Sequence, residues 1–170
     1  MRFCLLVLVI LASSSSRAVE ITNFKSGLAC THTRMTKDQV AWICQPTVDV
    51  LLTDQGICVF DGVEKPCTWV GFEFDYSNAG KDQKLQCVSE TSLPVDQGNP
   101  IKLIASGSKS ESYEIELKPG SGHFFNPQYF VFTGLSAGDS VLINKGRCSE
   151  SGRIVLEYVF NVHYPIVPNG

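Results

Sequence analysis

The sequence predicts an all-β fold, a disulfide-stapled antiparallel β-sandwich of about nine to eleven short strands. Three observations predict it. Short runs of alternating apolar and polar residues are separated by turns rich in Gly, Pro, Asp and Asn. Six of the seven cysteines follow an apolar leader. No stretch keeps a helical period of apolar residues over three turns.

The leader is Met1–Ala18. Arg2 precedes an apolar run, and Ser16-Arg17-Ala18 has the small-x-small form of a cleavage site, which is typical of a secretory signal peptide cleaved after Ala18. An uncleaved anchor is the alternative, but the apolar run is shorter than the roughly 20 residues of a spanning helix. We therefore expect no stable membrane span after cleavage. Residues 19–170 are predicted to form a single secreted or periplasmic β-sandwich domain.

The charge of the predicted mature chain argues against a nucleic-acid partner. The full chain has 14 basic and 17 acidic residues, and removing Arg2 and Arg17 leaves 12 and 17, a net charge of −5. The chain has no cluster of lysine or arginine, which a nucleic-acid surface would need.

The six cysteines after the leader form an even set, which indicates disulfide bonds in an exported chain. They are Cys30, Cys44, Cys58, Cys67, Cys87 and Cys148. We expect the pairs Cys30–Cys44 and Cys58–Cys67 to close local hairpins. The third pair, Cys87–Cys148, would tie the middle of the domain to its end.

The N-terminal half contains the strand around which the fold is organised. Val19–Gly27 is interpreted as a lead-in. The predicted strands that follow are Leu28–Arg34, Val40–Cys44, Thr47–Thr53, Ile57–Phe60 and Thr68–Tyr76. Asp61-Gly62 is a strong hairpin signal. In Thr68–Tyr76, three aromatic residues alternate with Glu73 and Asp75, so the rings and the carboxylates are expected on opposite faces.

The C-terminal half continues the same plan. Strands are predicted at Leu85–Glu90, Ile101–Ala105, Ser112–Lys118, Tyr129–Thr133, Ser140–Asn144 and Arg153–His163. Pro94–Pro100 is expected to be a loop, and His123–Tyr129 to be irregular because Pro127 interrupts any ladder. Arg153–His163 is apolar on both faces, which favours a strand with neighbours on both sides.

Candidate catalytic motifs are weak. Gly134–Gly138 matches the Gly-x-Ser-x-Gly pattern, but that chemistry needs a helix after Ser136, and a strand is predicted there. Carboxylates two residues apart, Glu73 with Asp75 and Glu114 with Glu116, would lie roughly 7 Å apart on a strand, near the separation that glycosidases use. An acidic, solvent-exposed strand face gives the same pattern.

No metal or cofactor is predicted. The three histidines, His32, His123 and His163, have no spacing typical of a zinc site. We therefore assign no catalytic residue, no metal ligand and no cofactor-binding residue from the sequence.

A binding surface is predicted at Phe124, Phe125, Asn126 and Tyr129. Strict alternation cannot hide both Phe124 and Phe125, and an exposed ring with polar neighbours suits recognition of a protein or a sugar. The alternative is a crossover whose rings plug one end of the sandwich.

The leading functional hypothesis is a secreted or periplasmic, non-enzymatic binding or structural module whose partner is an extracellular or envelope protein or a glycan. One alternative is a carbohydrate-active secreted enzyme that uses Glu73, Asp75 or Glu114 in a concave pocket. Another alternative is an inhibitor of an extracellular hydrolase, with Asp61–Pro66 as its exposed loop. An enzyme is the less favoured class.

Overall fold

The structure is a computed structural model that describes residues 18–30, 42–54, 56–100, 103–106, 109–134 and 141–166. These residues form twelve strands and no helix. The strands are β1 (Glu20–Cys30), β2 (Trp42–Pro46), β3 (Asp49–Leu51), β4 (Gly56–Phe60), β5 (Val63–Ala79), β6 (Lys84–Thr91), β7 (Gln97–Gly98), β8 (Leu103–Ser106), β9 (Ser110–Glu116), β10 (Gly120–Val131), β11 (Val141–Glu150) and β12 (Arg153–His163). Three predictions concern residues outside the described ranges. They are the signal peptide up to Arg17, the histidine His32 and the candidate nucleophile Ser136.

The strands form two sheets that pack face to face. Sheet A has the order β2-β1-β5-β10-β7, and β4 pairs with the start of β5. Sheet B has the order β3-β12-β11-β6-β9-β8. The strand pairs are antiparallel except for β3 beside β12, which is parallel. The predicted β-sandwich is confirmed. In the described part of the chain, no helix is long and apolar enough to cross a membrane.

Strand β5 is the centre of sheet A. It pairs with β1, β4 and β10, and it contains the predicted strand Thr68–Tyr76. Phe72 and Phe74 are fully buried, and the Phe72 ring centroid lies 4.9 Å from that of Tyr158 in sheet B. Burying each phenylalanine side chain stabilises the fold by about 1.5–3 kcal/mol. The aromatic face of β5 therefore joins the two sheets.

The interior also contains a polar network. Gln128 Nε2 donates to the hydroxyl of Tyr158 at 2.7 Å and to that of Tyr113 at 3.2 Å, and Asn126 Nδ2 donates to Tyr113 at 3.2 Å. Desolvation raises the pKa of both tyrosine hydroxyls, so they remain protonated. The network provides acceptors for the side-chain amide N–H groups that β10 places inside the sandwich.

Two of the three expected disulfides are present, Cys30–Cys44 and Cys87–Cys148. The prediction of a third was wrong, since Cys58 and Cys67 are free and buried thiols. In the β4–β5 hairpin, Cys58 stands opposite Lys65, two positions from Cys67. The two thiols are nevertheless in hydrogen-bond contact, and burial raises the pKa of both, which keeps them protonated.

Three segments that were not predicted to be strands contain strand residues. Val19–Gly27, interpreted as a lead-in, lies largely in β1, whose bulge between Thr22 and Lys25 breaks the alternation that would have revealed it. His123–Tyr129 lies within the regular strand β10, where Pro127 stands opposite Gly71. The predicted loop Pro94–Pro100 includes the short strand β7, which pairs with β10.

Other expectations are confirmed. Asp61 and Gly62 both have positive φ angles, 51° and 77°, as a two-residue hairpin turn of type I′ requires. Arg153–His163 is β12, with β3 on one side and β11 on the other. The expected central position is therefore confirmed, with one face of β12 buried at Leu156, Tyr158, Phe160 and Val162 and the other face partly exposed.

The close approach of β10 to β5 makes a testable prediction. A Cβ atom at Gly71 would lie 2.2 Å from the backbone oxygen of Asn126. We expect Gly71→Ala to lower the free energy of unfolding by about 1–3 kcal/mol, because the backbone has to shift. Chemical denaturation of the two proteins measures this difference in the free energy of unfolding.

The matched control is Gly80→Ala, since a Cβ atom there meets only the side-chain oxygen of Gln83 at 3.6 Å. We expect the control to change stability by no more than about 0.5 kcal/mol. Equal stability of the two variants would contradict the packing described for Gly71.

Candidate functional site

The outer face of sheet A carries an open, polar depression of about 480 Å³. Three neighbouring strands supply its lining: β1, β5 and β10. The lining residues are Asn23, Phe24, Lys25, Glu73, Asp75 and His123. The depression, called here the sheet A pocket, thus combines two carboxylates, an amine, an imidazole, an amide and an aromatic ring.

A bulge in β1 shapes one wall of the pocket. The pairing of β1 with β5 skips two residues between Thr22 and Lys25, and Asn23 has a φ angle of 50°. Asparagine is among the residues that tolerate this left-handed conformation. The bulge brings Asn23 Nδ2 to 2.8 Å from Asp75 Oδ2, as bulges next to functional sites often re-aim a side chain.

Asp75 is the exposed carboxylate of the pocket. It accepts hydrogen bonds from Asn23 and pairs through Oδ1 with His123 Nδ1 at 2.8 Å. These two bonds, that of Asn23 first, lower the pKa of Asp75 below its usual value. The carboxylate is therefore ionised at neutral pH and remains open to solvent on one side.

Glu73 is the buried carboxylate of the pocket, with only 5% of its surface exposed. Lys25 Nζ lies 3.2 Å from Oε1, and the backbone N–H of Ile43 in β2 donates to Oε2 at 3.0 Å. Burying a carboxylate is costly unless it is paired and hydrogen-bonded. These two partners meet that requirement and fix the side chain in place.

His123 links the two carboxylates. Its Nδ1 is bonded to Asp75, and its Nε2 lies 4.0 Å from Glu73 Oε2. More than half of the His123 side chain is exposed, so a ligand in the pocket has access to the imidazole.

The arrangement is better suited to binding than to acid–base chemistry. Each carboxylate already has two polar partners, whereas a general acid must retain a proton to donate to the substrate. Within the described ranges, no group of three or more His, Cys, Asp or Glu residues is placed to hold a metal ion.

The structure brings together some of the predicted site residues and separates others. Glu73 and Asp75 line the sheet A pocket together with His123. The hypothesis of a carbohydrate-active enzyme required such a pocket with converging carboxylates. Glu114 lies on sheet B, where it accepts hydrogen bonds from Lys84 at 2.6 Å and from Gln86 at 2.9 Å. The carboxylates proposed together in the sequence therefore belong to two opposite faces.

The remaining candidates take structural positions. Glu116 pairs with Lys84 on sheet B at 3.4 Å. His163 pairs with Asp49 at 3.2 Å, again on sheet B. The segment Asp61–Pro66 is a hairpin turn followed by paired strand residues of β5, rather than a free loop.

The predicted binding surface does not form one exposed patch. Because β10 is a regular strand, its residues alternate between faces. Phe124 packs against the core, with its ring centroid 5.5 Å from that of Phe74, and Asn126 is fully buried. Phe125 is half-buried, and Tyr129 is buried under the β4–β5 hairpin.

Sequence reasoning missed Asn23, Phe24 and Lys25, because the segment that carries them shows no alternation. Asn23 was the available signal of a bulge in this segment, because asparagine is favoured where the backbone needs a positive φ angle. Register with β5 then places Lys25 opposite Glu73.

No protein-family model matches the chain, and no curated protein matches it. Among solved structures, the chain is similar to an immunoglobulin-like protein from Pseudomonas aeruginosa, with 15% sequence identity over 87% of this chain and 98% of that chain. The TM-score is 0.48. At this identity and TM-score, the likeness carries no information on function.

The hydrogen bond from Asn23 makes a prediction about Asp75. In Asn23→Gly, the bulge keeps its backbone conformation but loses the amide, so we expect the pKa of Asp75 to rise toward the usual aspartate value of about 3.9. A carbon-detected NMR titration of the aspartate carboxyl groups measures it. Because the folded-state pKa is lowered, this contact stabilises the fold above about pH 3.9 and loses its effect as pH falls through the folded-state pKa.

Asp49 is an internal control. Its pKa is also lowered, by Asn161 first and then by His163, and we expect it to be unchanged in Asn23→Gly. An Asp75 titration that is the same in both proteins would contradict the role given to Asn23.

Proposed function

We propose that the protein is an exported, non-enzymatic binding module that recognises a neutral glycan at the sheet A pocket. The observation that carries the proposal is the mixture of groups in one depression. Asp75, Lys25 and His123 are exposed there beside the ring of Phe24.

The chemistry of the pocket supports a hydroxyl-rich ligand. A sugar hydroxyl both donates and accepts hydrogen bonds, so it matches a site in which a carboxylate accepts and an ammonium donates. The apolar face of a sugar ring also packs well on an aromatic side chain such as Phe24. The volume falls within the range of about 300–1,000 Å³ that is usual for small-ligand pockets.

Charge argues against anionic ligands. The chain has a formal net charge of −3, without a basic cluster, and Lys25 is already paired with the buried carboxylate of Glu73. A phosphate or a sulfated sugar would have to approach Asp75 without a free cation to compensate, and like charges repel.

The secreted or periplasmic location is supported by two features. The predicted signal peptide directs export. The Cys30–Cys44 and Cys87–Cys148 disulfides are typical of oxidising compartments. A rigid disulfide-bonded sandwich in such a compartment suits a module that holds a ligand without transforming it.

A glycan microarray carrying neutral, sialylated and sulfated oligosaccharides tests the proposal with chain 19–170. We expect neutral oligosaccharides to be bound. We expect Asp75→Asn to weaken binding of the best neutral oligosaccharide by about 10- to 100-fold in titration calorimetry, because a charged hydrogen-bond acceptor is lost.

Asp49→Asn is the matched control, since Asp49 forms a comparable cluster with Asn161 and His163 on sheet B. We expect this variant to bind as the unchanged protein does. Binding of acidic glycans alone, the absence of any bound glycan, or equal affinity in Asp75→Asn would each refute the proposal.

A further inference from the structure

The residue that precedes β1 is fixed to the end of β11. Val19 is only 4% exposed and packs within the main core. Its backbone nitrogen donates to Oε1 of Glu150 at 3.1 Å, across 131 positions of the chain. The nitrogen of Val19 therefore has a carboxylate as its partner at a largely covered position.

Other side chains hold Glu150 in place for this contact. Gln83 Nε2 donates to Oε1 at 3.1 Å, and Arg153 Nη2 lies 2.9 Å from Oε2. The Glu150 side chain is 11% exposed, whereas that of Arg153 is 59% exposed. Among the described residues, Arg153 is the charged side chain bonded to Glu150, and solvent screens much of its effect.

The predicted signal-peptide cleavage falls at this nitrogen. Hydrolysis after Ala18 adds one water across the peptide bond, so that Ala18 leaves with a carboxylate and Val19 keeps the nitrogen. Near pH 7 the new amino group takes up a proton and becomes an ammonium ion. One neutral donor is thereby replaced by a cation with three donors at the same place.

We propose that removal of the leader after Ala18 converts the Val19–Glu150 hydrogen bond into an ion pair that holds β1 in the sandwich. The inference rests on the export that forms part of the proposed function. The precursor already has a hydrogen bond from a neutral N–H to the Glu150 carboxylate. The ammonium adds the attraction of opposite charges at close range, and this pair is shielded by the core around Val19. Processing therefore makes the folded domain more stable than the precursor.

Two chains that differ only at the amino group test the inference. A synthetic peptide of residues 19–29, either free or acetylated at Val19, is ligated to a chain that begins at Cys30, and each product is refolded with its disulfides. We expect the free amine to lower the unfolding equilibrium constant about tenfold at pH 7, as measured by urea denaturation.

The same comparison in Glu150→Gln shows whether the carboxylate is responsible. The amide has the same shape and keeps an acceptor for Val19, so we expect the two chains to differ by less than about twofold in this background. Equal stability of the free and acetylated chains at pH 7, or a tenfold difference that persists in Glu150→Gln, would overturn the inference.

The pH profile is a second readout that needs no variant. An ion pair raises the pKa of the amino group in the folded state, so its contribution is complete below about pH 7.7 and is lost as pH rises through the folded-state value. We expect the advantage of the free chain to disappear by pH 10.5. An advantage that is constant between pH 7 and pH 10.5 would refute the ion pair.

The intact mass of the processed chain, recovered from cells that express residues 1–170, tests the cleavage position. A first residue other than Val19 would overturn the inference. Neither this result nor the stability comparison depends on a glycan, so failure here and failure of the proposed function can be distinguished.

Discussion

Alternation along β5 is the constraint on which the rest of the structure depends. Phe72 and Phe74 must face the interior because their burial joins the two sheets, and this fixes Glu73 and Asp75 on the outer face. A shift of one residue in the register with β1 or β10 would exchange the two sets. The core and the sheet A pocket are consequently two results of one pairing, and neither can be changed without the other.

Much of the fold follows from sequence alone because period-2 alternation and turn residues are local properties. Arg153–His163 was predicted with its observed bounds, since its apolar residues alternate without interruption. The same rule failed at β1, where a bulge at Asn23 shifts the face in mid-strand, and at β10, where Pro127 suggested a break. Pro127 nevertheless stands within the ladder, opposite Gly71, and only the pairing of β10 with β5 reveals that.

The site was less predictable than the fold, because its residues come from three strands that are distant in the chain. Glu73 and Asp75 were proposed from their spacing, which shows that two carboxylates share a face. Spacing does not show that Lys25 and Asn23 complete the same pocket, or that Glu114 lies on the other sheet. Those assignments depend on strand order, and many strand orders are compatible with one alternating sequence.

The hairpin beside β5 has a consequence for solubility. Ile57 stands opposite Pro66, which has no N–H, so the carbonyl of Ile57 points away from β5. That carbonyl accepts from the indole of Trp69 at 3.1 Å, and the carbonyl of Val59 accepts from the hydroxyl of Tyr129 at 2.6 Å. Open strand edges recruit further chains through such unpaired carbonyls. Because these two carbonyls already have aromatic partners, a foreign strand that paired with β4 would have to displace both hydrogen bonds, which disfavours edge-to-edge association.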